Sequence, residues 1–202
     1  MRDPRSRNQG RRPLRPTVRP TVAAVGLALI AVLTLALQAT VASAATYDTW
    51  TPQQSGTTQT LNGVAFVTAN AGWAVGGGGT IRHTADAGTT WRGQTSGTTQ
   101  TLYAVQFTDA STGWIVGAGG TLLHTTDGGG TWKKVMSGTT STLYGLCFID
   151  GQRGWVVGSG GVIRHTANGG ASWAAQTSAT SQTLYGVAFA DGSNGWAIGN
   201  RC

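Results

Sequence analysis

Behind residue 45 the hydrophobic pattern reverses at almost every step. In TLYAVQFTD, which begins at Thr101, Tyr103, Val105 and Phe107 fall on one face and Leu102, Ala104 and Gln106 on the other. That is the period of two expected of a β-strand. Three more short segments follow before the pattern restarts, GWIVG, TLLHTTD and TWKKVM, each bounded by Gly, Asp, Ser or Thr. Such boundaries are turn signals, so each segment is predicted to be a strand. No stretch behind residue 45 carries the period of an amphipathic helix.

The restart is regular, with a spacing of 41 residues. Ser55, Ser96, Ser137 and Ser178 open the units, and Leu61, Leu102, Leu143 and Leu184 follow. Next come Phe66, Phe107, Phe148 and Phe189, and then the Gly-Trp pairs that end at Trp73, Trp114, Trp155 and Trp196. Four short strands in about 40 residues, repeated, predict an all-β fold, a β-propeller of four-stranded blades. A right-handed β-solenoid is the alternative, but its repeats are usually shorter. The expected blades are 55–95, 96–136 and 137–177, with a truncated fourth repeat over 178–202 that stops at Arg201-Cys202, where earlier copies carry Gly-Gly. Trp50 lies 41 residues before Trp91, so 45–54 is expected to act as an N-terminal closing strand, the fourth strand of a partial first blade. The propeller is therefore expected to be incomplete. Its uncovered blade face and unpaired edges are expected to promote self-association.

Residues 1–44 have a different character. Seven arginines from Arg2 to Arg19 form a basic head, Val22 to Leu37 is almost wholly apolar, and Ala42-Ser43-Ala44 offers small residues for cleavage. This reads as a signal peptide, and the expected location is extracytoplasmic or secreted. The Arg11-Arg12 pair raises a twin-arginine route, which Pro13 and Arg15 disfavour. An uncleaved membrane anchor is the alternative. The segment also holds half of the basic residues, so the net charge of +7 belongs mostly to it. The remainder sets Arg82, Arg92, Lys133, Lys134, Arg153, Arg164 and Arg201 against six Asp and no Glu. A nearly neutral surface gives no footprint for a phosphate backbone, and nucleic acid is not expected as a partner. Cys147 and Cys202 are too few for a disulfide framework.

The third and fourth strands of each unit are joined by TADAGTTW, TTDGGGTW and TANGGASW, which place Asp86, Asp127 and Asn168 ahead of Trp91, Trp132 and Trp173. An oxygen at these positions can accept N–H groups of the following turn while the Trp anchors the hairpin. Calcium would need six to eight oxygens, and each loop offers one carboxylate or only an amide, so no metal is expected. These segments resemble the Asp-box, or bacterial neuraminidase repeat, with pattern Ser/Thr-x-Asp-x-Gly-x-Thr/Ser-Trp. Asn168 departs from it. The resemblance implies a structural turn remote from any catalytic centre.

The wider combination Leu-x-x-Val-x-Phe, Gly-Trp-x-Val-Gly, Gly-x-Ile-x-x-Thr and the Asp-box, as in LYGLCFIDGQRGWVVGSGGVIRHTANGGASW, resembles the photosystem II stability and assembly factor family. That resemblance covers about Trp50 to Asn200. It implies a seven-bladed propeller acting as a non-enzymatic chaperone of a membrane protein complex in photosynthesis, with a protein client drawn from that complex and no cofactor. It further implies a basic patch that recognises the client, for which Arg82 and Arg164, at one repeat position with Leu123 between them, are the matching residues.

Catalysis finds little footing. Sialidases share the Asp-box but use Glu to assist a Tyr nucleophile, and this chain has no Glu. Tyr103, Tyr144 and Tyr185 are periodic strand residues, expected in the core. Asp109, Asp150 and Asp191 are periodic turn residues, a poor source of the paired carboxyls a glycosidase needs. No catalytic residue is expected; a carbohydrate-recognising or glycoside-hydrolase-associated propeller is the alternative function. His83, His124 and His165 occupy equivalent third-strand positions, too far apart on neighbouring blades to share one ion, and are expected to pack in their hairpins with satisfied imidazoles.

Overall fold

A computed structural model describes residues 50–200. The expected signal peptide over 1–44, the first part of the expected closing strand and Cys202 lie outside them. The chain divides into two units, Met1–Thr51 and Pro52–Cys202. Only Trp50 and Thr51 of the first are described, and the fold is that of the second.

Each complete repeat is one antiparallel sheet with its strands in sequence order. The first blade holds β1 (Leu61–Phe66), β2 (Gly72–Gly76), β3 (Ile81–Thr84) and β4 (Arg92–Gln94). The second holds β5 (Leu102–Phe107), β6 (Gly113–Gly117), β7 (Leu122–Thr125) and β8 (Lys133–Lys134), and the third β9 (Leu143–Phe148), β10 (Gly154–Gly158), β11 (Ile163–Thr166) and β12 (Ala174–Gln176). A two-stranded sheet of β13 (Leu184–Phe189) and β14 (Gly195–Gly199) follows. The first strands β1, β5, β9 and β13 lie side by side from blade to blade. Side chains tie them together. Gln106 donates to the Phe148 carbonyl at 3.1 Å and accepts the Phe148 N–H at 2.8 Å, and Asn62 donates to the Leu102 carbonyl at 2.9 Å.

The described part of the expected closing strand, residues 50–54, pairs with no strand. No third strand stands beside it among the described residues. What it keeps is a repeat-equivalent contact: Trp91 Nε1 donates to Gln53 Oε1 at 3.2 Å, as Trp132 Nε1 does to Gln94 at 3.1 Å.

The core lies between blades rather than within one. Phe66, Phe107 and Phe148 sit opposite Gly72, Gly113 and Gly154 on the neighbouring strand, where any Cβ would enter the ring. This explains the glycine of each Gly-Trp pair. The Trp points to the opposite face and stacks on the Phe of the next blade: Trp73 on Phe107 with centroids 4.0 Å apart, Trp114 on Phe148 at 4.9 Å, Trp155 on Phe189 at 3.7 Å. Trp73, Val75, Leu102, Val105 and Trp132 belong to one buried cluster, and Trp114, Val116, Phe148, Val156 and Trp173 to the next. Burying a large aromatic in this way stabilises by several kcal/mol, on the order of the 3–5 lost on truncation to Ala.

The strict alternation expected along TLYAVQFTD is broken. Each first strand carries a β-bulge, at Asn62, Tyr103, Tyr144 and Tyr185, where the register with the second strand slips by a residue. As a result Leu102 joins Val105 in one core cluster instead of facing away from it.

Five positions of the repeat adopt positive φ, and two of them carry alanine in one copy. Gly56, Gly97 and Gly138 occupy one of them and Gly128 and Gly169 the other, but Ala179 and Ala87 fill the remaining copies, both at φ 57°. A Cβ in the left-handed region costs about 1–2 kcal/mol. Both alanines are exposed, so only the backbone is at issue. Ala87→Gly and Ala179→Gly are each expected to stabilise the chain by about 0.5–1 kcal/mol net of the extra freedom of the unfolded glycine, read as a higher urea midpoint at unchanged slope. A lower midpoint would contradict the strain.

Candidate functional site

The three tryptophan-bearing turns close in one way. Asp127 Oδ1 accepts the Thr131 N–H at 2.9 Å and the Thr125 hydroxyl at 2.7 Å, and Oδ2 accepts the Thr131 hydroxyl at 2.7 Å. Asp86 makes the same set with Thr90 and Thr84. In the third copy Asn168 keeps the Oδ1 contacts, taking the Ser172 N–H at 3.0 Å, while its Nδ2 donates to the Ser172 hydroxyl at 2.9 Å. The donor direction reverses and the turn survives. The Thr131 N–H, followed by the Thr125 and Thr131 hydroxyls, holds the Asp127 carboxyl down from 3.8 to about 2. Asp86 is lowered for the same reason, with the Thr90 N–H foremost.

The other periodic acids serve the turn between first and second strands. Asp109 accepts the N–H groups of Ser111 and Thr112, Asp150 those of Gln152 and Arg153, and Asp191 those of Ser193 and Asn194. All three carboxyls are held below the ordinary range: Asp109 chiefly by the Ser111 N–H, Asp150 by the Arg153 N–H, and Asp191 by the Asn194 side chain. Every acidic residue among the described residues is thus committed to a turn. No group of His, Cys, Asp or Glu suited to a metal ion occurs among the described residues.

The indoles of these turns differ in one respect. Trp91 and Trp132 find Gln53 and Gln94 as acceptors, but the equivalent position before Trp173 is Val135, and Trp173 Nε1 is buried without a partner. The histidines are explained by tryptophan as well. His83, His124 and His165 stack behind Trp73, Trp114 and Trp155 with centroids 4.6, 3.8 and 4.5 Å apart. They pack in their hairpins, but full satisfaction of the imidazole fails at His124, whose Nε2 is buried without a partner. Burial lowers the His83 and His124 pKa values, which favours the neutral ring under the indole; Lys133 adds to the effect at His124.

Tyr103, Tyr144 and Tyr185 are not core residues. The bulges re-aim them along the inner strands, where they form a ladder with centroids 4.7 and 5.2 Å apart. Tyr103 and Tyr144 are half-buried, and Tyr185 is 49% exposed. Sequence reasoning missed this surface because alternation alone does not reveal a bulge. Asn62 at the same position was the available signal.

Arg82 and Arg164 are not brought together. Each sits on the third strand of its own blade, opposite Ala74 and Val156, and donates from Nη2 to the carbonyl of Gly56 or Gly138 in the loop that opens its blade. Leu123, between them in the repeat, is fully buried. The only ion pair among the described residues joins Arg153 and Asp150, so neither arginine is neutralised by a carboxylate.

Consecutive four-stranded blades, inner strands side by side and a turn hydrogen-bonded ahead of each fourth strand define an all-β, incomplete propeller array. A family profile described as photosynthesis system II assembly factor YCF48 matches residues 42–137 and 94–179, and the chain belongs to that family. Among solved structures, YCF48 bound to D1 peptide is 26% identical over 77% of this chain and 52% of its own, with a TM-score of 0.65. YCF48 from Cyanidioschyzon merolae is 24% identical over 71% of this chain and 51% of its own, with a TM-score of 0.58. An ancestral GH74 enzyme shares the fold at 18% identity and a TM-score of 0.55, over 69% of this chain and 21% of its own. The chain thus spans about half the length of the YCF48 structures it matches. No curated protein matches it.

The turn chemistry carries a pH signature. The folded pKa of Asp127 lies below its unfolded value, so the ionised turn adds stability above about pH 3.8 that is lost as pH falls through about 2. Asp127→Ala is expected to lower Tm by several degrees at neutral pH. Asp127→Asn should lower it less, as Asn168 shows, and should also flatten the acid limb of a Tm-against-pH curve. Equal Tm values for Asp127→Ala and wild type, or a calcium-dependent rise in Tm, would contradict the structural role.

Proposed function

We propose that this chain is an exported, non-enzymatic binding module that holds a segment of a membrane-complex subunit during assembly. One observation carries the reading: every described carboxylate is spent on a turn while a row of tyrosines stays open on the inner strands. Acid–base chemistry is left without a free carboxyl among the described residues, and a rigid aromatic row is the kind of surface that anchors a polypeptide. The family and the likeness to a YCF48 that holds a D1 peptide support a protein client. Arg82 and Arg164 contribute as uncompensated charges on separate blades, attracting acidic client segments over a distance rather than clamping one.

The tyrosine row, exposed at Tyr185 and half-buried at Tyr103 and Tyr144, also favours a second reading, carbohydrate recognition, because aromatic rings stack on sugar faces. An immobilised D1 peptide and a glycan array separate the two. We expect saturable peptide binding that Tyr144→Ala weakens by about tenfold. Arg82→Ala with Arg164→Ala should slow association and reduce its salt dependence. Peptide binding indifferent to Tyr144→Ala and to the arginine pair would contradict the proposal. Saturable sugar binding without peptide binding would establish the second reading.

A further inference from the structure

On the inner strands phenol meets phenol across each blade boundary. Tyr103 of β5 and Tyr144 of β9 lie with ring centroids 4.7 Å apart at 51°, and Tyr144 and Tyr185 of β13 at 5.2 Å and 58°. The first pair sits between the second and third blades, flanked by the first blade on one side and by β13 and β14 on the other. The two strands that carry it are clamped together. Gln106 of β5 donates to the Phe148 carbonyl of β9 at 3.1 Å and accepts the Phe148 N–H at 2.8 Å, which fixes one strand on the other. Between β9 and β13 the equivalent position is Cys147, which has no amide to do the same. Tyr103 and Tyr144 are half-buried, and among the described residues neither hydroxyl bonds another group, whereas the Tyr185 hydroxyl accepts Asn200 Nδ2 at 3.2 Å. The indoles of the same two blades, Trp114, Trp132, Trp155 and Trp173, are all buried. The phenols are therefore the oxidisable rings that solvent reaches in this part of the molecule.

We propose that Tyr103 and Tyr144 form a modification site, at which a diffusible one-electron oxidant couples them into a dityrosine that ties the second blade to the third. Each ring gives one electron to the oxidant and its phenolic proton to water. The two phenoxyl radicals then join by a carbon–carbon bond between ring positions ortho to oxygen. Those two carbons lose their hydrogens as protons while the oxygens regain protons from water, so both phenols are restored. Two electrons and two protons leave overall, and the chain becomes two hydrogens lighter. Because two rings must react together, proximity decides the outcome. Rings already in contact on rigid strands meet at an effective concentration far above that of two chains in solution. The shorter distance, the Gln106 clamp and the unengaged hydroxyls select Tyr103 with Tyr144 over Tyr144 with Tyr185. Both tyrosines lie outside the two core clusters, so coupling does not require the blades to unpack. The bond closes a loop of one repeat across a junction otherwise held by side chains, which restrains the unfolded chain.

The proposal is independent of the client reading, since it needs only the ring geometry, and trypsin makes it easy to test. Cleavage after Arg92, Lys133, Lys134, Arg153, Arg164 and Arg201 leaves Tyr103, Tyr144 and Tyr185 in three different peptides, 93–133, 135–153 and 165–201. The full chain, kept dilute, is illuminated with tris(bipyridine)ruthenium(II) and persulfate and reduced to open any disulfide. Material that runs as one chain on a denaturing gel is then digested and read by mass spectrometry. A species joining 93–133 to 135–153, two hydrogens lighter than the two peptides together, is expected at about tenfold higher yield from the folded chain than from the chain in urea. Tyr103→Phe and Tyr144→Phe keep a ring in place and should each abolish it, whereas Tyr185→Phe should leave it. The coupled chain should also unfold at a higher urea midpoint than the untreated one. Equal yield in urea, an absence of coupling, or links formed chiefly between chains would overturn the proposal. So would a dominant link from Tyr144 to Tyr185, or a link between the first two peptides that survives Tyr103→Phe or Tyr144→Phe.

Discussion

One indole per blade, driven into the receiving face of the next, is the interaction on which the rest of this structure depends. The sheets share no backbone ladder with one another, so cohesion between blades rests on side chains. Other repeated features are consequences. The Gly before each Trp makes room for the Phe of the neighbouring strand, the His of the third strand backs the indole, and the Asp or Asn turn places the turn Trp at the edge of the Phe in its own blade. The spacing of 41 residues keeps all of these in phase.

This division of labour bears on function. Polar groups in the turns are consumed in making each blade, and aromatic groups on the flat faces in joining blades. On the inner strands one position lies outside both core clusters. Their bulges take one residue out of register, and at that position three blades place Tyr and the first places Asn. The tyrosines touch one another from blade to blade but lie outside the two core clusters, and that row is the surface proposed to hold a client.

Much of the fold was legible because the repeat writes each constraint several times over. The four-stranded blades and the hydrogen-bonded turns at Asp127 and Asn168 follow from alternation and turn chemistry. What escaped was geometry that alternation cannot encode. The bulge at Tyr103 brought Leu102 onto the face of Val105 and turned the tyrosine out of the core. The third-strand histidines were placed correctly, yet their partner is an indole stacked face to face, and His124 leaves a ring nitrogen unsatisfied. The segment 50–54 carried the sequence of a fourth strand, but no third strand lies beside it among the described residues, and its Gln53 bonds Ala87 and Trp91 of the first blade. Arg82 and Arg164 looked like one stripe in the repeat, but in the fold they sit on separate blades, each bound to its own loop.

The dependence on the indole contact is tested most directly by a double-mutant cycle at the last joint of the array, where Trp155 stacks on Phe189 at 3.7 Å and 21°. Trp155→Ala, Phe189→Ala and the double variant are compared by urea unfolding at one protein concentration. A coupling energy of about 0.5–1.5 kcal/mol is expected, because either truncation already destroys the stack. Additive losses, with no coupling between the two sites, would show that the blades are held together by something other than this contact.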